Sequence, residues 1–308
     1  MNSMLPCLSL TFICLFLNQG YAGDETEEGL PVRSVGIGNH ENLVVTDYPW
    51  LAELVDSQVP LISLAQRYPT PRGYQRVDTA KNPYARWLRT IPIRTDRTNV
   101  LSYRGRPLAR PASAIVMLDV GTRDLQQCAD SALRLHAEYL WHRGLGTKAK
   151  YHFTSGQLSS FSGWLAGDRF KIAGHRLEKR RGKPRSRAHK TYRQWLTHLF
   201  IYAGTQSLRF DSEPVGTRKI EGGDFFVQPG GPGHAVVVLD VAENKSGERI
   251  ALIGQGFMPA EDFHVLQSSG TVDQVWFHLP RATDEAMSTP SWPTPFRRSH
   301  ARRFKTPR

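Results

Sequence analysis

The hydrophobic pattern concentrates in one stretch, residues 221–257, where two apolar runs, His234–Val241 and Ile250–Gly254, flank the polar segment Asn244-Lys245-Ser246-Gly247. Short apolar runs on either side of a turn-forming segment predict a β-hairpin. A rigid approach, Pro229-Gly230-Gly231-Pro232-Gly233, delivers the chain to His234 at the mouth of the first strand. Pairing Glu243 with Glu248 across a four-residue turn sets His234 opposite Phe257 and Gln255 opposite Val236. His234 and Gln255 then become diagonal neighbours on one face, roughly 7–8 Å apart at Cα. A slip of one residue would turn Gln255 to the other face.

A second pattern has helical period. Leu125, Cys128, Ala129, Ala132, Leu133, His136, Tyr139 and Leu140 recur at spacings of three and four, which predicts an amphipathic helix. Asp124 with Gln127 three residues on is a capping-box arrangement at its start, and Gly144 and Gly146 end it. Cys128 therefore falls in or just after the first turn, while Asp130 and Ser131 are expected to face solvent or a neighbouring loop. Tyr192, Trp195, Leu196, Leu199 and Phe200 mark another helix, stopped near Gly204, and Asn82-Pro83 is an N-cap with proline at the first helical position. Short helices are expected over Pro49–Val55 and Val59–Tyr68, with strands at Tyr74–Val77, Leu101–Tyr103, Ala114–Val120 and Val275–Leu279. No internal repeat is present. The class predicted is α+β: a cysteine-bearing helix packed on an antiparallel sheet.

Composition divides the chain. With 308 residues, 40% hydrophobic and 10% aromatic, it has the make-up of a packed globular protein rather than a disordered one. The apolar run Leu8–Leu17, followed by Gly20 and Ala22, reads as a signal peptide over residues 1–22; no Lys or Arg precedes it, and a retained N-terminal anchor is the competing reading. The remaining divisions expected are a mobile lead over 23–45, a domain over 46–286 and a proline-rich basic tail over 287–308. The net charge of +12 gathers in two places. Residues 169–193 hold 11 Lys or Arg against one Glu, and residues 297–308 hold six and no acid. The first cluster, within 169–190, reads as a basic insertion or loop. Such runs are attracted to polyanions. For an exported chain, in the periplasm or at the cell surface, the partner expected is peptidoglycan or another anionic envelope polymer. No recognition helix, RRM or zinc-finger pattern is present, so no nucleic-acid partner is expected. No run in the mature chain is long enough to span a bilayer.

Removing residues 1–22 also removes Cys7 and Cys14 and leaves a single cysteine, Cys128. A thiol becomes a nucleophile when its pKa is lowered, a histidine takes its proton and a polar group orients the imidazole. Unpaired N–H groups at a helix start can serve the first need and can hold an oxyanion. Cys128, His234 and Gln255 are the candidate catalytic residues in those three roles. The competing readings are a core cysteine on the apolar stripe, a histidine that caps a turn, and a glutamine that only fills its strand. Asp224 reads as a Gly-Asp turn before a strand. His136, His142, His152, His264 and His278 lack metal-ligand spacing, and no metal or cofactor is expected. The tryptophans read as core, apart from Trp164 in a glycine-rich setting suited to a carbohydrate platform.

Gly223-Asp224-Phe225-Phe226 followed by His234-Ala-Val-Val-Val resembles the Gly-Asp-x-x-Phe…His-Val run of papain-like cell-wall hydrolases of the NlpC type. That resemblance implies a papain-like core, a helix-borne cysteine, a histidine opening a strand, and a polar residue ending the next. Cys128, His234 and Gln255 follow that order, although the orienting residue in those enzymes is usually His, Asn or Asp. Residues 74–286 more closely resemble an exported bacterial family known as domain of unknown function 4846, through WLRTIPI, LDVGTRDLQQCADSALRLHAEYLW, YAGTQSL, GGDFFVQPGGPGHAVVVLDVA and GFMPAEDFHVL. The function expected is thiol hydrolysis or acyl transfer on amide or ester bonds in the cell envelope. The alternative is a non-catalytic envelope binding protein, a degenerate hydrolase that holds anionic polymers through its basic segments.

Overall fold

A computed structural model of the chain describes residues 42–54 and 59–305. The expected signal segment and most of the lead lie outside the described residues.

The architecture is α+β, with eleven antiparallel strands in one sheet. In chain order they are β1 (Leu61–Ser63), β2 (Tyr74–Arg76), β3 (Pro92–Arg94), β4 (Ala112–Val116), β5 (Ser212–Pro214), β6 (Phe225–Gln228), β7 (His234–Asn244), β8 (Arg249–Gln255), β9 (His264–Leu266), β10 (Trp276–His278) and β11 (Ala301–Phe304). Across the sheet the order is β1-β3-β4-β9-β8-β7-β6-β11-β5, with β2 paired to β7 and β10 to β8. Three longer helices matter for the site: α1 (Pro83–Arg89), α2 (Cys128–His142) and α3 (His189–Phe200). Asn82 caps α1 through its side-chain oxygen, which accepts from the Ala85 amide, and Pro83 opens the helix as expected.

Alternation along β7 divides the core in two. Ala235, Val237 and Leu239 join a large cluster with Ala132, Leu133 and Leu135 of α2 and with Tyr192, Trp195 and Leu199 of α3. Val236, Val238 and Val241 join a second cluster with Phe226, Ile253, Phe277 and Phe296. The sheet is therefore buried on both faces, which is why β7 reads as a near-continuous apolar run.

The hairpin turn is one residue longer than expected. Glu243 pairs with Arg249, not Glu248, while beyond a bulge between Val238 and Asp240 the pairing is Val237 with Gly254. The bulge absorbs the odd residue and restores the expected register at the site end of the hairpin. It also turns Asp240, 2% exposed, towards two guanidinium groups: Arg76 Nε at 2.7 Å and Arg89 Nε at 2.8 Å.

Two expected appendages are folded. Residues 169–181 lie mostly in a hairpin, Asp168–Ala173 with Arg176–Arg181. The expected tail is not one. Ala286–Thr289 and Trp292–Arg297 form a hairpin that covers the second cluster, and β11 enters the sheet between β6 and β5. Its two buried ends, Ala301 in the second cluster and Phe304 in the first, with Arg302 and Arg303 partly exposed between them, were hidden by the local excess of arginine. Arg303 answers Asp224, which is 1% exposed: Nε donates to Oδ1 at 2.6 Å and Nη2 to Oδ2 at 2.9 Å. Asp224 is thus an anchor as well as a turn residue, its Oδ2 also accepting the Glu221 amide.

Removing one partner of a buried ion pair strands the other charge and costs about 3 kcal/mol. Arg303→Ala is expected to lower the urea-unfolding free energy by about that amount, whereas Lys245→Ala in the exposed turn changes it by less than about 0.5 kcal/mol.

Candidate functional site

The first helical residue of α2 is Cys128, so the helix begins four residues later than Asp124. Asp124 accepts instead from the Ala260 amide at 2.7 Å and from Gln127 Nε2 at 3.0 Å. Asp130 takes the capping role, its Oδ2 accepting the Gln127 amide at 3.2 Å. Asp130 and Ser131, expected near solvent, are 5% and 0% exposed. The reason lies in Gly256: a Cβ there would stand 2.5 Å from Ser131 Oγ, so only glycine lets the helix start lie directly against the end of β8.

Cys128 is 6% exposed and borders a cavity of about 260 Å³, whose walls include Asp124, Thr205, Gly230–Gly233 and Met258. Burial pushes its thiol pKa up to about 11. The Ala235 amide, and more weakly the amides of Ala129 and Cys128 itself, are directed at the sulfur and oppose that rise, while Asp130 adds to it. The helix start thus presents the expected N–H groups, but desolvation outweighs them.

His234 opens β7 fully buried. It stands on the face of the second cluster, with its ring 4.9 Å from Phe257, 5.1 Å from Trp292 and 6.0 Å from Phe296. Gly233 fixes its entry, since a Cβ there would meet Thr205 Oγ1 at 2.4 Å and the Gln228 carbonyl at 2.7 Å. Gln255, 1% exposed, lies on the same face, and its Oε1 is 2.8 Å from His234 Nε2. The predicted His234–Gln255 neighbourhood is therefore present.

The hydrogen bonds run further and fix the tautomers. His264 on β9, directly opposite Gln255, has Nδ1 3.0 Å from the Asp262 carbonyl; a carbonyl only accepts, so Nδ1 carries the proton. His264 Nε2 then accepts from Gln255 Nε2 at 3.4 Å, which turns Gln255 Oε1 towards His234 as an acceptor. His234 Nε2 is therefore the protonated nitrogen. Behind His264 stands Glu261, 0% exposed, with Oε1 3.7 Å from His264 Nδ1 and both oxygens held by Arg110 Nε at 3.1 and 2.8 Å. Burial raises the Glu261 carboxyl to about 7 against the pull of Arg110. The sequence pattern sets His264 aside among histidines without metal-ligand spacing and does not single out Glu261; the signal available is the stretch GFMPAEDFHVL, whose ending alternates as a strand.

One atom of this row has no partner. His234 Nδ1 is buried and makes no hydrogen bond, so Cys128 Sγ is not bonded to it; what the sulfur meets is the amide of the next residue, Ala235. Burial lowers the His234 imidazole to about 4, opposed by the Gln255 hydrogen bond and aided by His264. At neutral pH the resting site holds a thiol and a neutral imidazole.

Of the other residues considered, Trp164 is 7% exposed and covered by Arg169, whose guanidinium lies 3.6 Å above the ring, so it offers no open platform. His136, His152 and His264 are hydrogen-bonded to Tyr151, Asp211 and Asp262. No group of three or more His, Cys, Asp or Glu able to hold a metal occurs among the described residues, and none of their helices is long and apolar enough to cross a membrane.

The model of one family, domain of unknown function 4846, matches residues 64–303. The chain belongs to that family. The match spans β2 to β11 and includes Cys128, His234, Gln255, Glu261 and His264. Comparison with curated proteins and with solved structures found no match.

Two measurements follow from the burial of this family member's site. The alkylation rate of Cys128 by iodoacetamide is expected to climb about tenfold per pH unit from 7 to 10, without the levelling near 8.5 of a free thiol. A buried neutral imidazole gives a stability contribution that is lost on acidification, because the unfolded chain takes up its proton from about pH 6.5 and the folded one only near 4. In urea unfolding between those pH values, His234→Gln is expected to remove about 2 kcal/mol of the parent's acid-induced loss.

Proposed function

We propose that this protein is an exported thiol hydrolase or acyltransferase with a papain-like core, acting on amide or ester bonds in the cell envelope. The observation that carries the reading is His234: its Nε2 is tied to Gln255 while its Nδ1 is buried and unbonded, one residue from the amide that meets the Cys128 sulfur. A buried acceptor left unmade costs about 1–3 kcal/mol, and such atoms call for an explanation. A proton to be received from Cys128 supplies one.

In this reading the substrate carbonyl reaches Cys128 through the cavity. The Cys128 S–H proton passes to His234 Nδ1 as the sulfur–carbon bond forms, and the N–H groups at the start of α2 donate to the carbonyl oxygen as it becomes an oxyanion. Imidazolium returns the proton to the leaving amine or alkoxide. Water, or an acceptor amine in a transfer reaction, then releases the thioester with His234 as base. The resting site holds no preformed thiolate–imidazolium pair, and His234 stands on the second-cluster face of β7 while α2 packs against the other face, so a movement that brings Sγ and Nδ1 together is what the first step requires. Gln255 holds the tautomer but brings no charge to the imidazolium, which suits a slow enzyme.

A second reading is favoured by the same neutral, desolvated pair together with the exposed cations of the 168–181 hairpin: a degenerate hydrolase that binds anionic envelope polymers. The two separate on a panel of peptidoglycan peptides and aryl esters. The catalytic reading expects iodoacetamide-sensitive turnover that falls at least about 10³-fold in Cys128→Ser and about 10²-fold in Gln255→Ala. Turnover that survives Cys128→Ser, or salt-sensitive polymer binding without any turnover, overturns it.

A further inference from the structure

Two to three turns along α2 from Cys128 lies a larger cavity of about 780 Å³, within the range that small molecules occupy. Its inner wall is aromatic and fixed. His136 is hydrogen-bonded through Nδ1 to the Tyr151 hydroxyl at 2.8 Å, and its ring stacks on Phe304 with centroids 4.3 Å apart and planes inclined by 9°. Burial lowers the His136 imidazole to about 3, so the ring adds no charge. Phe210, partly exposed, stands on the wall beside His152.

The charges around this cavity do not cancel. Of its two carboxylates, Asp211 is hydrogen-bonded to His152 at 2.6 Å, and Glu213 is paired with Arg218 at 2.7 Å. Arg303 is committed to Asp224. Three ammonium groups then face the one carboxylate that no guanidinium neutralises. Lys305 Nζ donates to the Phe210 carbonyl at 2.9 Å and lies within electrostatic reach of Asp211, whereas the exposed Lys148 and Lys150 make no ion pair among the described residues. Cations on a concave, partly apolar wall focus their field into the space between them.

We propose that this cavity binds a small flat organic anion, with its carboxylate or phosphate against Lys148, Lys150 and Lys305 and its ring against Phe210 and Phe304. The inference is independent of any chemistry at Cys128.

The probes are phenyl phosphate and benzoate, with benzyl alcohol as the neutral control, titrated calorimetrically into the full chain at low and at moderate salt. At least one anion is expected to bind saturably, one per chain, with Kd below about 1 mM and weaker at the higher salt. Which of the two binds more tightly assigns the head group as phosphate or carboxylate. Lys148→Ala/Lys150→Ala, both at exposed positions and checked for folding by circular dichroism, is expected to weaken binding at least about tenfold. Absence of saturable binding by both anions, equal affinity in the double variant, or benzyl alcohol binding as tightly as the anions each overturn the proposal.

Discussion

The register of one strand pair governs this molecule. Side chains on a strand alternate between faces, so whether His234 and Gln255 can meet is decided by a single residue's count in the hairpin. The turn spends one residue more than the simplest pairing allows, and the bulge between Val238 and Asp240 takes it back. Without that compensation Gln255 would face α2, and the row from Arg110 through Glu261, His264 and Gln255 to His234 would have no middle member. The bulge is also where Asp240 receives Arg76 and Arg89, so the irregularity is held by two ion pairs at one buried carboxylate.

Desolvation is the dominant force on the groups around the site. It raises the Cys128 thiol and the Glu261 carboxyl and lowers the imidazoles of His234 and His264, in each case against smaller polar contributions that favour the charged form. The result is a row of neutral or compensated polar groups whose order is set by hydrogen-bond direction. One backbone carbonyl, that of Asp262, sets the protonation of His264, and each partner in turn fixes the next. Such one-way rows are costly to build and specify a single arrangement. Here the arrangement ends on a bare nitrogen.

Much of this was legible in the sequence because it depends on local pattern. The hairpin, the helix bearing Cys128, the N-cap at Asn82 and the shared face of His234 and Gln255 follow from periodicity and turn chemistry. What the pattern missed has physical causes. The start of α2 lies at Cys128 because Asp124 is drawn away by the Ala260 amide, a contact 136 residues distant. Asp130 and Ser131 are buried because Gly256 admits the helix to the strand end, which sequence spacing does not reveal. β11 was hidden by its arginines, which look like a solvated run until Asp224 and Ser212 are seen to receive them. His264 looked like any isolated histidine because Gln255, which joins it to His234, lies on a different strand.

The place of β11 has a consequence for the order in which the structure can form. β5 and β6 belong to the same sheet but do not pair with each other; the strand between them is made about seventy residues after β6. Until residue 304 has been synthesised, the sheet ends at an unpaired edge of β6, β5 has an unpaired edge of its own with no strand partner, and the buried carboxylate of Asp224 waits for its counter-ion. A growing or shortened chain can assemble the hairpin and pack α2, yet it exposes those edges to any other extended segment nearby. Completion of the fold is thus tied to the arrival of one short arginine-bearing strand.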